Sequence, residues 1–112
     1  MLKMQSKSVI IQEILNPKLK DHYIIFYSEW CPFSMDAIEL LTNTRTPYIS
    51  HIIDTMRIGH TTGDLKKLLS RFKQYKDVLK FNEKHSTRPI IFYNGKFIGG
   101  YQELKKHLES RI

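Results

Sequence analysis

The chain has 112 residues, of which 41% are hydrophobic, 12% aromatic and 26% charged. That length admits one core and no second lobe, so a single domain over residues 1–112 is expected, and the balanced composition excludes disordered and fibrous classes. Lysine and arginine number 18 against 11 aspartates and glutamates, a formal +7 that attracts anionic partners without choosing among nucleic acid, phosphate and carboxylates. The one cysteine, Cys31, permits no disulfide within the chain and excludes a stapled secreted domain. No apolar run reaches the roughly 18 residues of a membrane span. The stretch after Met1 carries Gln5, Ser6 and Ser8 where a secretory leader has its apolar block, so a cytoplasmic chain with no membrane partner is expected.

From Ser8 to Leu15, apolar residues recur at helical spacing behind a serine cap, with Pro17 as the stop, which predicts a short first helix. His22 to Tyr27 is a continuous apolar and aromatic run, as in a central strand covered on both faces. Ser28-Glu29-Trp30-Cys31-Pro32-Phe33-Ser34 then leads into Met35, Ala37, Ile38, Leu40 and Leu41 at helical spacing. Pro32 suits the first helical position, which makes Cys31 the N-cap. Pro47 to Asp54 reads as a second strand, parallel to the first across a crossover helix. Gly59 to Gly63 is read as a loop. From Asp64 to about Lys84, Leu65, Leu68, Leu69, Phe72, Tyr75 and Leu79 step along one long amphipathic helix, whose other face carries Lys66, Lys67, Arg71, Lys73, Lys76 and Lys80. Pro89 to Tyr93 and Lys96 to Ile98 form a hairpin, because Asn94-Gly95 accepts the positive φ angles of a two-residue turn. Gly99-Gly100 closes it, and Tyr101 to Arg111 makes a last helix. The expected fold is α/β, a four-stranded mixed sheet flanked by helices.

A cysteine at a helix N-terminus meets unpaired backbone N–H groups and the positive end of the helix dipole, and both favour thiolate over thiol. The amides of Phe33 and Ser34 are in position to donate to the sulfur, and the Ser34 hydroxyl to add a bond. A lone cysteine is commonly buried and inert. This one lies between a strand and a proline-started helix, which favours a nucleophile.

Trp30-Cys31-Pro32-Phe33-Ser34 after an apolar strand, Thr87-Arg88-Pro89 before the hairpin, Asn94-Gly95-Lys96, and Gly99-Gly100-Tyr101-Gln102-Glu103-Leu104 occur in this order, and together they resemble a glutaredoxin on a thioredoxin-like fold. The resemblance spans about Tyr23 to Leu108. It implies a glutathione-dependent thiol–disulfide oxidoreductase with Cys31 as the catalytic residue: Cys31 attacks a glutathione mixed disulfide, releases the reduced protein, and keeps glutathione until a second glutathione removes it. It implies that Pro89 is a cis-proline setting the Arg88 backbone against the cysteinyl part of glutathione, and that Thr87 and Gly100 belong to the same binding surface. By the same resemblance Gln102 and Glu103 hold the γ-glutamyl end through backbone N–H groups and an acidic side chain, and Lys76 meets the glycyl carboxylate.

The chain also departs from that family. Where a basic residue usually stands shortly before the cysteine, it has Ser28-Glu29-Trp30. Glu29 opposes a carboxylate, and Lys76, Arg88 or Lys96 is the candidate to compensate. Ser34 occupies the place of the resolving cysteine in the dithiol branch. Without a second thiol the chain cannot close its own disulfide, so turnover needs an external thiol, and the expected partners are glutathione and glutathionylated proteins. The family's monothiol branch more often reads Cys-Gly-Phe-Ser and binds an iron–sulfur cluster between two subunits with two glutathiones. Here Pro32 replaces that glycine, and the insertion typical of that branch is missing. The enzyme is therefore preferred to an iron–sulfur carrier, in which Cys31 would be the metal ligand, and a monomer is expected unless a cluster is bound. A third reading is a thioredoxin-fold binding module with an unreactive Cys31.

The remaining signals are weaker. His22, His51, His60, His85 and His107 show no i, i+4 pair of a helical metal site and are read as surface or structural residues. Ile58 to Gly63 lacks the Gly-Lys-Ser/Thr of a phosphate loop. The lysine-rich helix face carries no interleaved aromatics, so nucleic acid is not the expected partner. Trp30 would be a docking surface if exposed and the rim of the core if buried.

Overall fold

The computed structural model describes residues 5–16 and 20–111. Its elements run α1 (Gln5–Leu15), β1 (Tyr23–Tyr27), α2 (Pro32–Asn43), β2 (Tyr48–Ile52), a 3₁₀ turn (Ile53–Thr55), β3 (Arg57–Ile58), β4 (Thr61–Thr62), α3 (Leu65–Gln74), α4 (Lys76–Leu79), β5 (Ile90–Tyr93), β6 (Lys96–Gly99) and α5 (Tyr101–Ser110). The main sheet has four strands in the order β2-β1-β5-β6. β1 and β2 are parallel, from Tyr23 opposite Tyr48 to Tyr27 opposite Ile52, and the other two pairings are antiparallel, which makes the expected mixed sheet. No described helix is long and apolar enough to cross a membrane.

The apolar run of β1 is explained by two cores. Side chains alternate across a strand, so Ile24 and Phe26 face one layer, with Ile11 and Ile14 of α1 and Leu68 and Phe72 of α3. Tyr23 and Ile25 face the other, with Ala37 and Leu41 of α2 and Leu104 of α5. Helices on both faces leave β1 no solvent side, and only a strand without polar alternation satisfies that position.

Four local expectations are corrected. Helix α1 already runs at Gln5, so Ser8 lies inside it and is not its cap; Gln, Ser and Lys are tolerated in a helix, and the apolar stripe marks where α1 packs, not where it begins. Pro17 lies outside the described residues. β2 ends at Ile52, and the 3₁₀ turn that follows takes Asp54 out of the sheet. The loop from Gly59 to Gly63 contains a small hairpin, Arg57 pairing with Thr62 and Ile58 with Thr61, because Gly59 at φ +65° turns the chain back. The single long helix is broken: α3 ends at Gln74, Tyr75 leaves helical geometry at φ −117°, and α4 stops at the left-handed Lys80. Leucine and phenylalanine spacing reports which side faces the core and is blind to a change of axis. The Asn94-Gly95 turn is as expected, with φ +49° and +84°.

The second core is closed by a polar contact that makes stability depend on pH. The Tyr23 hydroxyl lies 2.6 Å from His107 Nδ1 and accepts from Arg111 Nη1 at 3.1 Å. Burial first, and the Arg111 charge second, hold His107 below the ordinary histidine range. The unfolded chain therefore protonates at higher pH than the folded one. The stabilisation is whole above about pH 6.5, the unfolded histidine value, and is lost as pH falls toward the lower folded one. The urea midpoint should fall between about pH 7.5 and 5.5, and His107→Gln should flatten that slope.

Candidate active site around Cys31

Where β1 ends, Ser28 turns the chain and is fully buried. Its carbonyl accepts from the Cys31 N–H at 3.1 Å, its own N–H donates to Ser34 Oγ at 3.3 Å, and its hydroxyl donates to the Asp54 carboxylate. Three bonds from one residue thus fix the turn that presents Cys31. Cys31 is extended, at φ −93° and ψ 119°, Pro32 opens α2, and the Met35 N–H donates to the Cys31 carbonyl at 3.0 Å. This is the predicted N-cap position, and Cys31 is partly exposed.

The sulfur makes different contacts from those expected. No cap bond runs from the helix amides to the Cys31 side chain, and the Ser34 hydroxyl, buried beneath the turn, is committed to Ser28. Instead Sγ points across the groove to the Arg88 carbonyl oxygen, 4.0 Å away. The Arg88–Pro89 peptide bond is cis. On its far side, the His85 ring places Nε2 at 3.2 Å from the Pro89 carbonyl oxygen, and a Cβ on Gly100 would lie 3.5 Å from both His85 and that oxygen. Cys31, the Arg88–Pro89 bond and the start of α5 therefore line up. His85 was not expected here, and nothing in its sequence neighbourhood marks it.

At the start of α5 the Gly100 N–H donates to Glu103 Oε1 at 2.9 Å. A side chain at Gly99, where φ is +131°, would place its Cβ 2.5 Å from Glu103 Cγ, so glycine is required. Glu103 thereby caps its own helix, and Gln102 is exposed beside it. Lys76 is engaged elsewhere, with Nζ 2.9 Å from Glu83, an ion pair that raises the lysine pKa and lowers the carboxylate's. Lys96 Nζ donates to the Val78 carbonyl at 3.4 Å. Thr87 is exposed next to Arg88.

Two aromatic side chains flank the thiol in the open, Trp30 at 64% and Phe33 at 57% exposure, the arrangement expected of a docking surface. Trp30 is fixed all the same: its Nε1–H donates to Asp54 Oδ2 at 2.7 Å, and the Arg88 guanidinium carbon lies 4.7 Å from its ring centroid. Bonds from Ser28 and from Trp30, with the Arg88 charge nearby, hold the Asp54 carboxyl below its usual range. As the end of an expected strand, Asp54 gave no sign of this role. Asp54→Ala should cost about 1–3 kcal/mol, because the buried Ser28 hydroxyl loses its acceptor. It should also lower the fluorescence anisotropy of Trp30, the sole tryptophan, and unchanged anisotropy would contradict the anchoring. Among the described residues, no cluster of three or more His, Cys, Asp and Glu side chains could hold a metal ion.

No family model matches the chain. It is 34% identical over 90 residues to a probable glutaredoxin of Acanthamoeba polyphaga mimivirus, covering 80% of each chain. It is 30% identical over 82 residues to glutaredoxin-2 of Schizosaccharomyces pombe, covering 73% of this chain and 63% of that one. Among solved structures, a dithiolic glutaredoxin of Trypanosoma brucei brucei superposes with a TM-score of 0.64 at 26% identity, over 91% of this chain and 88% of that one. A buckwheat glutaredoxin–glutathione complex superposes with a TM-score of 0.65 at 19% identity, over 98% and 84%, a likeness of fold.

Proposed function

The chain belongs to the glutaredoxin family of glutathione-dependent thiol oxidoreductases and has its thioredoxin-like fold, and from that premise we propose that it reduces protein–glutathione mixed disulfides by a monothiol mechanism. The observation that carries this reading is the placement of the sole thiol, partly exposed at the N-cap of α2 and facing the Arg88 carbonyl at 4.0 Å. The Cys31 thiolate attacks the glutathionyl sulfur; the mixed disulfide breaks, and the protein thiolate leaves and takes up a proton. A second glutathione thiolate then attacks the glutathionyl sulfur held on Cys31, and glutathione disulfide leaves as Cys31 returns to its thiolate. The substrate disulfide is reduced at the expense of one free glutathione, which leaves joined to the substrate's glutathionyl group as glutathione disulfide.

Ser34 supports the single-thiol course, since a buried hydroxyl bonded to the Ser28 amide offers no sulfur to expel the bound glutathione. The exposed Trp30 and Phe33 supply apolar contact for the protein half of the substrate. A glutathionylated peptide, with glutathione and glutathione reductase in excess, tests the proposal. Turnover proportional to protein and dependent on glutathione is expected, and a rate no higher than glutathione alone would overturn it.

A further inference from the structure

We propose that the Arg88 side chain is the carboxylate-reading group of this site, selecting disulfides whose Cys31-bound half carries a carboxylate; this rests on the mixed-disulfide reading above and names what discriminates its substrate. The carboxylates of the glutathionyl half call for a cation at the site, and residues 28–30, directly before Cys31, are Ser, Glu and Trp and supply none. The structure leaves Arg88 to meet it, since Lys76 is paired with Glu83 at 2.9 Å and Lys96 is turned to the Val78 carbonyl at 3.4 Å.

Arg88 is the residue whose carbonyl faces the sulfur, and its guanidinium lies over the indole of Trp30, 4.7 Å from the ring centroid. The indole is pinned by Asp54, so the cation is held on a fixed plane and loses little further freedom when it binds. Among the described residues its buried Nε has no hydrogen-bond acceptor. A buried N–H without an acceptor is costly. The guanidinium edge matches a carboxylate with two parallel bonds. Asp54 already accepts from Ser28 and Trp30, one bond on each oxygen, and although the Arg88 charge helps to lower its pKa, no ion pair joins the two.

The test is single-turnover reaction of the reduced protein with glutathione disulfide, which carries carboxylates, bis(2-hydroxyethyl) disulfide, which is neutral, and cystamine, which is cationic, followed as loss of the Cys31 thiol by intact mass. Arg88→Gln should slow glutathione disulfide about tenfold, the loss of a charge-assisted hydrogen bond, while the neutral disulfide stays within about twofold and cystamine accelerates. Arg88→Lys should recover part of the preference, keeping the charge without the fork. The neutral disulfide serves as the control for folding and thiol reactivity. Equal slowing of all three disulfides, or an unchanged ratio of anionic to neutral rate, would overturn the assignment and leave the monothiol reaction standing. A native protein that reacts with none of them would remove both.

Discussion

Cys31→Ser is expected to lower glutathione-dependent turnover by about ten-thousandfold, to the rate of glutathione alone. The chain has no other sulfur nucleophile, since its remaining sulfurs are methionine thioethers, and a serine hydroxyl stays protonated at neutral pH. The substitution should leave the fold intact. Cys31 is partly exposed, its side chain makes no cap bond, and its backbone bonds to Ser28 and Met35 are indifferent to the change. Stability should therefore change by no more than the scatter of surface substitutions, about 0.5 kcal/mol. Initial rates on a glutathionylated peptide, with melting curves of the same samples, separate lost chemistry from lost structure. Activity surviving in the serine variant would place the reaction on another group.

The largest effect on stability is expected from Phe72→Ala. Phe72 is fully buried on α3, with ring centroids 5.4 Å from Phe26, 5.6 Å from Phe81 and 5.0 Å from Phe92, so one side chain joins the helix layer to the two central strands. Truncation removes the ring's transfer free energy and leaves a cavity that neighbouring rings fill only in part, a loss of about 3–5 kcal/mol. Against a total near 5–15 kcal/mol that is a third or more of the stability. At about 4–8 °C per kcal/mol, the melting temperature should drop by more than about ten degrees. Denaturant unfolding checks it, and a shift below about 1 kcal/mol would contradict the packing described.

Much of this was legible in local chemistry. An apolar run without alternation placed β1 between two helical layers, Asn94-Gly95 fixed the hairpin, and Pro32 set the start of α2 and hence the cap position of Cys31. The resemblance to glutaredoxins is borne out by the relatives, and Pro89 follows a cis bond as that resemblance implied. Contacts between residues distant in sequence were not legible. Asp54 reaches Trp30 only because the 3₁₀ turn lifts it out of β2, and His85 meets the Pro89 carbonyl only once the chain beyond α4 has folded back. The break at Tyr75 was hidden because apolar spacing continues on both sides of it. Sγ facing Arg88 depends on a side-chain rotamer that no sequence pattern reports.

The most direct measurement is the intact mass of the native chain after glutathione disulfide and then free glutathione. The monothiol account predicts one glutathionyl group per chain, mapped to Cys31 and fully removed by glutathione. A chain that takes up no glutathionyl group, or keeps it under excess glutathione, would contradict it.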